Sequence, residues 1–577
     1  MDAKIDNILP FVRKPLRYLG GEWNSSGKGM KDVNVCLCFP DLYELASSNM
    51  GIEILYHIIN GREDASCERC YCPDFDMEER MTAADIPLSS LETVSPLRDF
   101  DIIGFSLQYE LCFSNVLLML ELAGIPLESR EREDIPSLVI GGGPVCVNPE
   151  PVADFFDMFV LGDGEEVIHE IIDTVRDFRK KRGVPAGGLK RELLGELARL
   201  EGVYVPSFYS VSRGTDGRIS GITAGAGASR EAVTTRTVPL SRENHPISVI
   251  VPYLDAVHDR FNVEISRGCR NSCRFCQAAS VYSPWRERDP GEIMDILKKG
   301  VEATGYDEVS LMSFSSTDYS RMEELLEEVS EYSYMNNVFV SVPSLRCNAK
   351  TAGLLKYLTG PRRANLTFGV ETGSDRLRKY IGKNICNDEI LSTLKTAAEL
   401  GWKQVKLYFM YGLPSEKYED LEEIIRLVKR ARSLSGSLRV NMTASPFVPK
   451  PHTAFQWVKQ EDTSALAQKL RMLTARVPGR IRPHALEMSL LEGVFARGDR
   501  RLGKVIRTAR RKGCRFDHWK EKFRFDLWAE SFSENGMDME SYTGERDYGE
   551  ILPWDHLSTG RTKEQLYRRY EQAKSGS

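Results

Sequence analysis

The chain of 577 residues is poor in histidine, with eight in all, and has no apolar run near the length of about 20 residues that a membrane-spanning helix needs. It also lacks excess positive charge. With a net charge of -6 at pH 7 the whole molecule shows no nucleic-acid footprint, so any such contact must come from a local patch. A dense, even cysteine framework is missing too: thirteen cysteines, an odd number, are spread along the chain with no secretory signal, which favours reduced thiols and metal ligands over disulfides. A cytoplasmic location with no membrane association is expected. The length exceeds what one core supports, and at about 150 residues per domain it suggests three or four units.

What is present centres on Ser266-Arg267-Gly268-Cys269-Arg270-Asn271-Ser272-Cys273-Arg274-Phe275-Cys276-Gln277, which follows a strand-like stretch from Arg260 to Ile265. Three thiolates at C-x3-C-x2-C spacing suit three irons of a four-iron cluster and leave the fourth iron open. Zinc takes four ligands, often as two C-x2-C or Cys/His pairs, and no second pair is near.

This loop resembles the signature of radical S-adenosylmethionine (SAM) enzymes. The resemblance implies a 4Fe-4S cluster on Cys269, Cys273 and Cys276, SAM chelating the open iron, and Phe275 beside the adenine. It also implies a one-electron donor of flavodoxin or ferredoxin type.

The first region reads as β/α units. Val33 to Phe39 is a buried strand and Asn49 to Ile59 an amphipathic helix, with further strands at Ile102 to Leu107, Leu138 to Ile140 and Met158 to Leu161. Loops rich in small residues follow them, as in a doubly wound, Rossmann-like parallel sheet. Ligands of such sheets lie beyond the carboxyl ends of the strands, so Ser47, Ser106, Gly141, Gly142 and Gly162 are candidate cofactor contacts, with an empty scaffold equally open. The order of domains resembles cobalamin-dependent radical SAM proteins, which implies cobalamin at these loops. The loop Pro40-Asp41-Leu42-Tyr43-Glu44 carries no histidine to ligate cobalt. Cys67, Cys70 and Cys72 are candidates for a second cluster, as in the methylthiotransferases, while Cys36, Cys38 and Cys112 read as small core residues.

The expected domains are 1–184, Rossmann-like; 185–250, a helix and β-hairpin connector; 251–455, a partial (β/α)6 barrel; and 456–577, mainly helical. Barrel strands are expected near 261–265, 308–312, 338–342, 365–370, 404–409 and 438–443. Asp289-Pro290 opens one helix, and Gly401 ends another. Chemistry lies at the carboxyl ends of barrel strands. By resemblance the SAM contacts there are Ser315 and Asp318 after the second strand, Arg346 after the third, Glu371 in Gly369-Val370-Glu371-Thr372-Gly373-Ser374, and Gly412 in Gly412-Leu413-Pro414. For Ser315 and Asp318, a hydroxyl-rich loop capping a helix near Tyr319 is the alternative.

Between Arg497 and Arg524 stand twelve Lys or Arg against three Asp or Glu, with Phe516, Trp519, Phe523, Phe525 and Trp528 in or beside them. Such a stretch reads either as an RNA surface or as a solvated helix over an aromatic core. His518 and His556 are candidate proton-transfer groups, and Thr562 to Lys574 reads as a charged surface helix.

The reading is an enzyme that cleaves SAM reductively to methionine and a 5′-deoxyadenosyl radical, which modifies RNA, protein or a small molecule. Cobalamin-dependent methylation is one form of this. The alternatives are methylthiotransferase-like sulfur insertion, or a cluster kept for binding or assembly.

Overall fold

The computed structural model describes every residue except Met1, Asp2, Gly360, Pro361, Arg363, Arg480, Gly576 and Ser577. Strands β1 (Val33–Phe39), β2 (Ala65–Tyr71), β3 (Ile102–Ser106), β4 (Leu138–Gly142), β5 (Met158–Val160) and β6 (Val203–Tyr204) form one sheet in the order β2-β1-β3-β4-β5-β6. Only β5 and β6 pair antiparallel. β1 is buried at every position, as an apolar strand must be when helices cover both faces. The helix Met50–Asn60 starts where Asn49 accepts a hydrogen bond from Ile52 N. Chain order reverses between β1 and β3, which opens a crevice at the carboxyl ends of these strands.

All thirteen cysteines are free thiols. Cys36 and Cys38 on β1, and Cys112 in the turn Glu110–Cys112, are core residues as expected. The second-cluster set is corrected by the pleat. Cys67 and Cys70 both lie in β2, three positions apart, so they point to opposite faces of the sheet. All of Cys67, Cys70 and Cys72 are buried in the core.

A hairpin of β7 (Tyr209–Arg213) and β8 (Ile219–Ala224) follows, then β9 (Val233–Thr234). The second α/β unit starts with β10 (Phe261–Glu264), and the cysteine loop is closed at its base by the short antiparallel pair β11 (Ser266–Arg267) and β12 (Arg286–Glu287). The barrel continues through β13 (Glu308–Met312), β14 (Phe339–Ser341), β15 (Leu366–Glu371), β16 (Gln404–Tyr411), β17 (Arg439–Pro446) and β18 (Ile481–Pro483). Its strands pair in parallel as β10-β13-β14 and β15-β16-β17-β18, so the barrel opens between β14 and β15. β18 adds a strand beyond the six expected. Asp289 accepts from Gly291 N with Pro290 next to it, and Gly401 has φ +94 just past the helix Asn387–Glu399, both as the sequence predicts. Among the described residues no helix is long and apolar enough to cross a membrane.

The C-terminal region is helical, and β19 (Leu557–Ser558) pairs with β9. Its basic stretch is not an open cationic surface. Arg500 pairs with Glu150 at 2.6 Å, Arg507 with Glu128 at 2.5 Å, Arg515 with Glu78 at 2.6 Å and Lys522 with Asp74 at 2.6 Å, all carboxylates of the N-terminal unit. Phe516 and Trp528 are fully buried in the same core as β1, with Trp519, Phe523 and Phe525 packed against it. The stretch is therefore a clamp between two parts of the chain. His556 is also structural, buried against Tyr204 and Tyr209.

Candidate active site

The cysteine loop leaves β11 through Gly268, at φ +86. A Cβ there would lie 2.5 Å from the Tyr282 carbonyl oxygen, so the turn requires glycine. Cys269, Cys273 and Cys276 are all half-buried. Burial pushes the Cys273 thiol up to about 11, with Lys383 and Arg346 opposing and Cys276 and Glu371 adding. Burial also raises Cys276, against the backbone N–H groups of Ala279 and Ala278. Three thiols close enough to act on one another, partly open and surrounded by donors, fit a cluster that binds as thiolates and releases protons. The loop supplies three thiols, one fewer than the four ligands of a structural zinc site.

The barrel ends converge on this loop. Asn271, between the first two cysteines, is a hub that sequence reasoning missed. Its backbone N–H donates to Cys269 Sγ at 3.4 Å, its Nδ2 donates to Asp318 Oδ2, and its Oδ1 accepts from Arg346 Nη1. Ser315 Oγ donates to Asp318 Oδ2. The helix-capping alternative for this loop does not hold: the following helix Met322–Asn336 starts at Arg321 with no side-chain cap, and Ser315 and Asp318 turn to Asn271 instead.

Glu371, at the end of β15, has φ +64 and follows a register shift after Gly369. A left-handed glutamate costs of order 1 kcal/mol and points to a position the site dictates. Its Oε1 accepts from Lys383 Nζ at 2.9 Å. Burial opposes the charge on Lys383, but Glu371 and Cys273 outweigh it and raise its pKa. Phe275 is packed against the apolar cluster of Leu377, Ile381 and Phe455. Gly412 stands at the end of β16, yet its N–H is committed to Glu416 Oε2 at 2.8 Å.

Beside the loop lies a cavity of about 630 Å³. One wall is the crevice between β1 and β3, with Val35, Leu37 and Phe39, the strand-end residues Ser106, Gly141 and Gly142, Gly162 in the loop after β5, and the helix that starts at Met50. The other wall is the barrel entrance: Glu264, Arg267, Val281, Tyr282, Met312 and Phe314. His258 and His518 complete it, and the His518 ring lies 4.6 Å from that of Tyr109. Of the candidate cofactor contacts, Ser106, Gly141, Gly142 and Gly162 line this chamber and Ser47 does not; its neighbour Ser48 does. Gly142 has nothing within 4 Å of where a Cβ would lie, so backbone there is open to a ligand. Gly141 and Gly162 have internal reasons as well, since a Cβ would meet the Phe159 ring at 2.5 Å or the Arg236 carbonyl oxygen at 2.1 Å.

Residues 51–206 match the family model for the N-terminal region of radical SAM proteins, and residues 263–428 match that of the radical SAM superfamily. An uncharacterised protein of Methanocaldococcus jannaschii, MJ0966, is 25% identical over 509 residues, which are 87% of this chain and 97% of the relative. A putative methylthiotransferase of that organism, MJ0865, is 29% identical over 189 residues, 31% of this chain and 41% of its own. Among solved structures, OxsB, described as a cobalamin-dependent SAM radical enzyme with aqua-cobalamin bound, has a TM-score of 0.49 at 12% identity and covers 94% of this chain and 80% of its own. TsrM from Kitasatospora setae, described as a radical SAM methyltransferase with cobalamin and a 4Fe-4S cluster bound, has a TM-score of 0.48 at 11% identity, with 72% and 75% covered. The two family models span more than half of the chain, the cysteine loop included, and the chain belongs to the radical SAM superfamily, whose enzymes bind a 4Fe-4S cluster and SAM.

Proposed function

We propose that this enzyme is a cobalamin-dependent methyltransferase acting on an unactivated carbon. The observation that carries the reading is the shared chamber: the carboxyl edge of the N-terminal sheet and the entrance of the barrel face one cavity, with Arg267, two residues before Cys269, in its wall. The lining offers aliphatic surface to the face of a large flat ring and polar groups to an amide-bearing edge. Val35, Leu37, Phe39, Ile52 and Leu55 offer aliphatic surface, Gly142 leaves the backbone open, and Asn49, Ser106 and Gln108 supply polar contacts.

When bound, cobalamin would supply a methyl carrier, and SAM on the cluster would supply the radical. The chain binds, orients and excludes water. Asp318 and Glu371 offer carboxylates to an ammonium, and Arg346, held by Asn271 and the Asn384 carbonyl, offers positive charge to a carboxylate, which are the two groups SAM presents at its amino-acid end. Phe314, 4.8 Å from the Tyr282 ring, adds aromatic surface to the chamber wall.

Anaerobic reconstitution with iron and sulfide, followed by titration with hydroxocobalamin and desalting, tests this. The proposal expects stoichiometric retention by visible absorbance, and loss of retention in G142W with iron content unchanged. No retention beside an intact cluster would contradict it and make the N-terminal unit a scaffold for a cobalamin-free modification.

A further inference from the structure

The cysteine loop has a second set of partners, nearly 300 residues away, that the superfamily reading leaves unused. Arg569, on the C-terminal helix Lys563–Ser575, donates to the carbonyl of Ser272, the residue before Cys273. Its own carbonyl accepts from Arg274 Nε at 3.0 Å, so helix and loop hold each other in both directions. Arg274 also donates to the carbonyls of Lys379 and Tyr380 at 3.0 and 2.8 Å. Arg561, just before the helix, donates to the Ala279 carbonyl at 3.3 Å, past the third cysteine.

These three guanidiniums have a further property in common. Among the described residues none of them has a carboxylate partner, in contrast to Lys383 with Glu371 and Arg346 with Asp318 on the barrel side of the loop. Arg569 is partly buried with Arg561 and Arg274 as like charges beside it, and a thiolate at Cys273 would be an opposite one. In a chain of net charge -6, three guanidiniums with only carbonyl partners around one loop leave local positive charge for a negative group.

We propose that the C-terminal helix is part of the cluster site, and that Arg569 and Arg561 are positioning residues that, with Arg274, fix the loop and favour the more negative, reduced cluster. This rests on the superfamily reading above. A cluster on three thiolates is anionic, and one-electron reduction by an external donor adds one negative charge to it. Fixed cations nearby stabilise the reduced form more than the oxidised one. Carbonyl bonds on both sides of Cys273 and past Cys276 would hold the thiols in ligating geometry while the guanidinium charge remains unneutralised.

The test is an EPR-monitored redox titration of reconstituted wild type, R569K, R569Q and R561Q, with iron counted for each. R569Q and R561Q are expected to shift the midpoint potential to more negative values, and R569K to keep it near that of the wild type. If R569Q also loses iron, R561Q, whose bond is the longer one, still reports the potential. Wild-type potential in both glutamine variants with iron intact would overturn the inference alone. A wild-type chain that takes up no iron would overturn the cluster reading and the inference with it.

Discussion

Arg267, two residues before the first cysteine, donates to Asp163 Oδ1 at 2.8 Å across the junction between the N-terminal sheet and the barrel. Glu165 and Glu264 hold the same guanidinium at 2.6 and 2.9 Å, and Asp163 also accepts from Arg286. The bond joins the loop after β5 to the base of the cysteine loop, so chamber and cluster loop share one ionic hinge. Breaking a buried network of this kind costs about 3–5 kcal/mol because charges are left unpaired. R267A should lower the urea midpoint by a corresponding amount and reduce iron retention, with R267K intermediate. An unchanged midpoint in R267A would contradict the hinge.

Glu371 offers a second check at the site itself. E371Q keeps the shape but loses the charge that Lys383 and a SAM ammonium would share. A charge-assisted hydrogen bond is worth about 1.5–3 kcal/mol, so SAM should bind roughly ten- to a hundredfold more weakly with iron content unchanged. Equilibrium dialysis with SAM measures this, and unaltered affinity would remove Glu371 from the SAM site.

Two buried histidines set the acid limit of stability. Burial lowers His245 to about 3 and His452 to about 4, against an ordinary value of 6.5. His245 Nε2 accepts from Glu264 N, so a proton there would remove an acceptor as well as bury a charge. In the window between the folded and unfolded values the unfolded chain binds more protons. This stability is therefore complete above pH 6.5 and is lost progressively as pH falls from 6.5 towards about 4 for His452 and about 3 for His245, on the order of 3 and 5 kcal/mol respectively. Thermal midpoints from pH 7 down to 4 should fall, and H452Q should flatten the slope.

Asp517 acts with the opposite sign. Burial pushes its carboxyl up to about 6, although Ser114 Oγ and Trp528 Nε1 both donate to it. Here the folded chain binds the proton more tightly, so the contribution is complete below about 3.8 and lost as pH rises through 6. D517N stays neutral and can bond to both partners. It should exceed the wild type in thermal midpoint at pH 8, with the gap closing by pH 5; a gap independent of pH would contradict the assignment.

The parts legible in the sequence are those whose physics is local. The apolar run Val33 to Phe39 is a strand because helices cover it on both sides, and the three cysteines are grouped by spacing alone. The cation-rich stretch from Arg497 misleads for a physical reason: whether Arg507 or Arg515 is free depends on Glu128 and Glu78, hundreds of positions earlier. Arg569 on Ser272 is hidden in the same way. Asn271 was within reach, since a side-chain amide inside a cysteine loop has few targets other than the thiol and the barrel ends. The second-cluster cysteines fail on strand parity, which Cys67 and Cys70 already display in their spacing.

The most direct measurement is 5′-deoxyadenosine formed from SAM under anaerobic reduction, by the reconstituted chain and by the variant with Cys269, Cys273 and Cys276 all replaced by Ala. Wild type should form the product, and the triple variant should give neither product nor iron. SAM cleavage that survives loss of the three cysteines would contradict it.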